Sequence, residues 1–145
     1  MAYRFPITKQ GLGHTRKIRA LPSIYSVARY IIVDLGPTSS MKLHKLLYYW
    51  QAWHCVWEQE PLFSEIMEAW SNGPVAASLF WMHVGEFTVT EAMLSKGNIG
   101  ELSQQQQTSI YAVLKFYGDK AGHKLSHLTH QEAPWQDARE GLGCD

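Results

Sequence analysis

The strongest constraint on the fold comes from the stretch between about residue 40 and residue 59. Apolar side chains recur there with the 3.6-residue period of an α-helix, and the Glu60-Pro61 step ends the pattern because a residue before proline avoids helical geometry. The side chains on one arc of this helix are Leu43, Leu46, Leu47, Trp50, Trp53, His54 and Trp57. Since this arc covers about a third of the helix circumference, the sequence predicts a long helix that buries it in the core, with Tyr48 on the outer side.

A second amphipathic helix is predicted between Ser23, a good N-cap residue, and the helix stop at Gly36-Pro37. Its apolar face consists of Ile24, Val27, Ala28, Ile31 and Leu35. The periodicity leaves four other side chains off that face, namely Tyr25, Arg29, Tyr30 and Val33. Aromatic residues outside the core are natural anchors for a protein interface, so we expect some of these to contact a partner.

The rest of the chain predicts shorter elements. Residues 62–74 indicate a short irregular or helical piece that closes in an Asn-Gly-Pro turn, and a helix follows from Pro74 to His83. Residues 87–90 give a weak strand pattern. Ser103 and Gln106 fit a capping box before a further helix, and two short helices follow near residues 124–128 and 134–139. We therefore predict an all-α, compact single-domain bundle of five to seven helices with at most one short β element.

Composition limits what this domain can be. A chain of 145 residues with 46% hydrophobic and 18% charged residues can build its own core. Lys+Arg and Asp+Glu both total 13, which disfavours general binding to nucleic acid. Residues 1–22 nevertheless form a basic arm in front of the domain at 23–145. Without an apolar stretch of about 20 residues or a signal-peptide pattern, we expect a cytoplasmic protein that does not bind membranes.

The sequence offers few residues in patterns that support catalysis. His123, His127 and His130 would share a helix face, as metal ligands must, but no carboxylate stands at ligand spacing and we expect the helix to end before His130, so a solvated face is favoured. His54 lies on the buried arc, where a hydrogen-bonded core histidine is the usual role. Cys55 is its neighbour, but adjacent helical residues diverge by about 100° and make no dyad. We predict no enzyme activity, no cofactor and no metal.

Three stretches make the chain recognisable. Residues 41–54 read MKLHKLLYYWQAWH, residues 68–75 read EAWSNGPV, and residues 125–139 read LSHLTHQEAPWQDAR. Together, and in this order, they resemble the Panacea, or SocA-like, antitoxin domain over about residues 24–140. The positions that match the family pattern include Lys45, Leu46, Tyr48, Trp53, His54, Trp70, Gly73, Pro74, Val75, Thr129, His130, Pro134 and Trp135.

The resemblance implies a small helical protein, often encoded in prophages beside a toxin gene, that neutralises its protein toxin by direct contact and assembles with it, in some cases as a homo-oligomer. We expect the matched residues to be structural: Gly73 and Pro74 to set a turn and a helix start, Trp70 and Trp135 to pack in the core, and Thr129 with His130 to cap the segment before Pro134.

The basic arm departs from the family pattern, because the domain usually begins close to its first helix. Arg16, Lys17 and Arg19 would suit an acidic or nucleotide-binding cleft of a toxin, and with Tyr25, Arg29, Tyr30 and Tyr48 they are the predicted toxin-binding residues. The arm could equally be an unstructured extension. The alternative function is a nucleic-acid-binding regulator that uses the same arm.

Overall fold

A computed structural model of the protein describes residues 2–3 and 20–139. Six α-helices and five short strands lie in this part of the chain. The helices are α1 (Ile24–Leu35), α2 (Ser40–Glu58), α3 (Ala77–Met82), α4 (Gln104–Tyr117), α5 (Gly122–His130) and α6 (Ala133–Arg139). The strands are β1 (Ala2–Tyr3), β2 (Thr38–Ser39), β3 (Met67–Trp70), β4 (Gly73–Ala76) and β5 (Thr88–Val89).

Helix α2 is the centre of the fold, as its pattern predicts. It packs against α1, α4, α5 and β4, and Leu43, Leu46, Leu47 and Trp50 are fully buried. Ser39 caps its first turn by accepting a hydrogen bond from the Lys42 amide. The helix ends at Glu58, just before the predicted stop at Pro61, so both of its predicted limits are confirmed.

The predicted cap residues of α1 and α4 are also confirmed. Ser23 accepts a hydrogen bond from the Ser26 amide, and Gly36 ends α1 with φ +82°. Ser103 and Gln106 form the complete capping box of α4. On the predicted apolar face of α1, Ile24, Val27, Ala28 and Ile31 are buried, whereas Leu35 is half-buried.

The piece predicted over residues 62–74 begins irregularly and contains the predicted turn, but the prediction missed two strands, and the helix predicted from Pro74 was placed too early. Strands β3 and β4 form an antiparallel hairpin in which Trp70 pairs with Gly73 and Ala69 pairs with Pro74. Proline lacks an amide hydrogen and is tolerated at the edge of a sheet, and β4 is an edge strand. Pro74 therefore lies in a strand, and the following helix begins only at Ala77.

The fold is mainly helical, but it contains more β structure than predicted. Strand β1 pairs with β3 and extends the hairpin to three strands, while β2 pairs with β5 in a second small sheet. The weak strand predicted near residue 88 is thus real, and its partner follows the Gly36 helix stop. Within the described ranges, none of the helices has the length and apolar composition that crossing a bilayer would require.

Candidate functional site

The motif residues from the middle and the end of the chain meet at the hairpin turn. Lys45 of α2 is 1% exposed, and its Nζ donates a hydrogen bond to the Pro74 carbonyl at 3.2 Å. A Cβ atom on Gly73 would lie 2.6 Å from Lys45 Cε and 2.9 Å from Thr129 Oγ1, and Gly73 has φ +117°. Both the space and the backbone therefore require glycine. We call Lys45, Gly73, Pro74 and Thr129 the hairpin brace.

The electrostatics of the hairpin brace follow from its burial. Burial lowers the pKa of Lys45 from 10.5 to about 8, because removing the ammonium group from water disfavours its charged form. At neutral pH most of the lysine remains charged, and the Pro74 carbonyl accepts one of its protons. Because Gly73 packs closely against Lys45 and Thr129, the brace holds the hairpin to α2 and α5.

The closing motif attaches α6 to the same hairpin. Trp135 Nε1 donates a hydrogen bond to the Trp70 carbonyl at 2.8 Å, and the His130 and Trp135 rings lie 4.1 Å apart. Both tryptophans are half-buried. Tyr48, predicted on the outer side of α2, is 3% exposed and lines a small apolar cleft beside Trp135. That prediction was wrong because α6 and the hairpin cover a helix face that the periodicity of α2 alone leaves open.

His54 lies in a buried hydrogen-bond network with one consistent arrangement of protons. Ser109 Oγ donates to the Gln106 carbonyl at 2.8 Å and accepts from Trp50 Nε1 at 2.7 Å. His54 Nδ1, at 3.1 Å from the same oxygen, must therefore be a donor. The Ser109 proton points away from the imidazole, and burial lowers the pKa of His54 to about 4. This geometry is that of a core histidine and not of a serine–histidine dyad.

The other candidates for chemistry are dispersed. Burial raises the pKa of the Cys55 thiol to about 11, so it stays protonated at neutral pH. His123 and His127 are exposed, whereas His130 packs on Trp135. Helix α5 runs through His130, against our prediction that it ends earlier. In the part of the chain that the structure describes, no three His, Cys, Asp or Glu side chains are grouped closely enough to hold a metal ion.

The predicted binding residues of α1 contact other residues of the same chain. Arg29 donates to the Gly97 carbonyl at 2.7 Å and forms an ion pair with Glu91 at 3.2 Å. Lys96 lies over the Tyr25 ring, and the Tyr30 ring packs 6.1 Å from that of Trp50. All three α1 residues are half-buried. Arg16, Lys17 and Arg19 lie outside the described residues.

One exposed aromatic surface includes two tryptophans that we predicted to be buried. Trp53 and Trp57 of α2 are 38% and 46% exposed and stack with ring centroids 5.5 Å apart. Val56 and Phe116 are also exposed. Trp53 Nε1 donates to Tyr117 Oη at 3.1 Å, and Phe116 packs edge-on against the same Tyr117 ring. We call Trp53, Val56, Trp57 and Phe116 the α2–α4 aromatic surface.

The comparison with protein families identifies the class of protein that this architecture represents. The family described as "Antitoxin SocA-like, Panacea domain" matches residues 43–136, which span α2 to α6 and contain both the hairpin brace and the α2–α4 aromatic surface. The chain belongs to this family, as its three motifs predict. No curated protein and no solved structure matches it.

Proposed function

We propose that this chain is an antitoxin that neutralises a cognate protein toxin, encoded by an adjacent gene, by binding it directly and covering its active or substrate site. Membership of the SocA-like Panacea family supports the antitoxin role. The α2–α4 aromatic surface carries the proposal of direct binding. Large apolar side chains grouped at the surface of a folded domain indicate a protein-binding site.

The physical properties of this surface suit a tight interface. Trp53 is held by Tyr117, whose ring stacks on Tyr49 at 4.1 Å, and Tyr49 in turn donates to Glu132 at 2.8 Å. The exposed indole of Trp53 is therefore supported by contacts that connect α2, α4 and the segment before α6. Because pre-ordered tryptophans lose little conformational entropy on binding, they are effective anchors for a partner.

The direct test is a growth assay in which the adjacent gene is induced with and without this one, followed by co-purification of the two products. Toxicity that is relieved by this protein within a stable complex is the expected result. Rescue without a complex, or no toxicity at all, would contradict direct neutralisation.

Specificity for one toxin is assigned to the basic arm in this proposal. A full deletion of residues 1–20 would also remove β1, which pairs with β3, so the sharper variant replaces Arg16, Lys17 and Arg19 together with alanine. We expect this variant to fold normally and to bind the toxin less tightly. Unchanged neutralisation would show that these three charges do not contribute.

A further inference from the structure

Two buried histidines that the sequence analysis did not single out face each other between α2 and the end of α3. His44 is 1% exposed and His83 is 3% exposed. Their Nε2 atoms are 2.9 Å apart, a hydrogen-bond distance, and their ring centroids are separated by 5.2 Å. The Phe80 ring packs against both imidazoles. The pair therefore lies in an apolar setting that favours neutral rings.

The hydrogen bonds permit only one arrangement of the ring protons. The Ala76 amide donates to His44 Nδ1 at 3.1 Å, so this nitrogen must be an acceptor. A neutral imidazole then carries its proton on Nε2, and His44 Nε2 donates to His83 Nε2. The proton of His83 must accordingly be on Nδ1. A single chain of bonds runs from the backbone of β4 through His44 to His83.

This chain of bonds cannot survive the addition of a proton. An imidazolium ion donates from both nitrogens. Protonated His83 would direct an N–H at the N–H of His44 across 2.9 Å, and protonated His44 would direct one at the Ala76 amide. Ser40 Oγ, at 3.5 Å from His83 Nε2, is the acceptor to which a released His83 can turn. A metal ion on both Nε2 atoms is excluded for the same reason, since His44 would then need its proton on Nδ1.

The neighbouring charges reinforce the neutral state. Burial is the main reason that the pKa of His44 is lowered. The positive charges of the adjacent Lys45 on α2 and of a protonated His83 lower it further. The Ala76 amide of β4 donates to His44, and the apolar Phe80 ring of α3 packs against it. Burial likewise lowers the pKa of His83. Glu86 approaches through its backbone, whose amide donates to the His83 carbonyl, while its side chain is exposed.

The pair holds a turn that displays apolar side chains. Residues 81–87, which we call the α3 turn, expose Trp81, Val84 and Phe87 by 65%, 53% and 80%. The α3 turn is also tied to α2 by the Ser40 amide, which donates to the Phe87 carbonyl at 2.8 Å. We infer that His44 and His83 form an acid-sensitive clasp, which proton uptake opens so that the α3 turn detaches from α2 and β4. This opening requires no toxin.

The first test measures the wild-type protein by NMR. At about pH 7.5 we expect imidazole nitrogen shifts that show a proton on Nε2 of His44 and on Nδ1 of His83. As the pH falls below about 6.5, the ordinary pKa of a histidine side chain, amide exchange protection at Ser40 and Glu86 should fall before that at Gly118, whose amide donates to the Leu114 carbonyl at the end of α4. The opposite tautomers, or an equal loss of protection at all three amides, would overturn the clasp.

The second test follows the free energy of unfolding by urea denaturation between about pH 7.5 and pH 5.5. Because the folded pKa values are depressed, the unfolded chain binds more protons in this window, so stability falls as the pH falls. H83Q keeps an acceptor for His44 but cannot be protonated. A proton that His83 takes up on unfolding changes the unfolding constant by up to about tenfold per pH unit, and H83Q should lose this contribution. H127Q, at an exposed site, should leave the pH dependence unchanged. Equal slopes for H83Q and the wild type would refute the inference.

Discussion

The hairpin brace and the α2–α4 aromatic surface both use side chains of helix α2, yet one is closed and the other open. Lys45 in the first half of the helix is covered by the hairpin and α5, whereas Trp57 near its end is 46% exposed. Most of the family-motif residues lie in or near the closed region. The difference shows that one helix can carry both kinds of motif residue, because Lys45 is buried in the hairpin brace whereas Trp53 stays 38% exposed.

The largest expected effect comes from replacing Gly73 with alanine. The new Cβ would meet Lys45 Cε at 2.6 Å in a backbone with φ +117°, and the resulting strain and clash should destabilise the fold by about 3 kcal/mol or more. Gly85→Ala is the matched control, since Gly85 also has positive φ but no atom lies within 4 Å of its added Cβ. It should lose only about 1 kcal/mol. Urea denaturation measures both, and equal losses would show that the hairpin brace is not tightly packed.

Ser109→Ala should follow, with a loss of about 2 to 3 kcal/mol. The substitution removes the acceptor of two buried donors, Trp50 Nε1 and His54 Nδ1, and each unsatisfied donor is costly. Thr108→Ala, one position away, removes only an exposed hydroxyl that bonds to the Gln104 carbonyl. Thermal unfolding of the two variants compares them directly. A similar small loss in both would contradict the proton arrangement assigned to His54.

Lys45 should make the stability depend on pH in the alkaline range. Its folded pKa of about 8 is below the value of 10.5 in the unfolded chain, so the unfolded chain binds more protons and stability rises with pH. Between about pH 7.5 and 9.5 we expect a gain of about 2 kcal/mol in the free energy of unfolding. Lys45→Met should abolish this gain, whereas Lys115→Met on the exposed side of α4 should retain it. A flat wild-type profile would mean that the lysine is not desolvated.

The smallest effect on stability is expected at the open region. Trp57→Ala removes a half-exposed side chain from the end of α2 and should change the free energy of unfolding by less than about 1 kcal/mol. The same variant should weaken toxin binding by about tenfold or more, measured by calorimetry with the co-purified partner. Tyr111→Ala, an exposed aromatic at a different angular position on α4, is the control. Equal binding by both variants would remove the α2–α4 aromatic surface from the proposed interface.

The boundaries of the main helices could be predicted because local chemistry determines them. Ser23, Ser39 and Ser103 cap helices wherever the following amides need an acceptor, and Gly36 and Pro61 stop helices through backbone sterics. The hairpin was missed because Gly-Pro fits both a helix start and an edge strand. The choice depended on β3 being available as a pairing partner, and no local rule contains that information.

The candidate site could be predicted only in part. The motif residues were recognised and expected to be structural, and the contacts of Lys45 and Gly73 agree with that role. The capping role predicted for Thr129 was wrong, because Thr129 lies inside α5 and its hydroxyl donates to the Ser126 carbonyl. Trp53 and Trp57 were expected in the core because they share the periodic arc of α2. Both are partly exposed although His54, on the same arc, is fully buried, because the neighbouring elements cover only part of this arc near the end of α2. Tyr48 was expected to be exposed but is buried, since α6 covers a face of α2 that the periodicity of α2 alone places outside the core.

The sequence by itself determined the family, the mainly helical class and the limits of the long helices, because these depend on residue types at short spacing. The tertiary structure decided which aromatic side chains stay exposed, how the hairpin closes over Lys45 and that His44 meets His83. These outcomes depend on contacts between residues that are distant in sequence, 39 positions apart for the two histidines. Periodicity defines the faces of a helix, but only packing decides which face is covered.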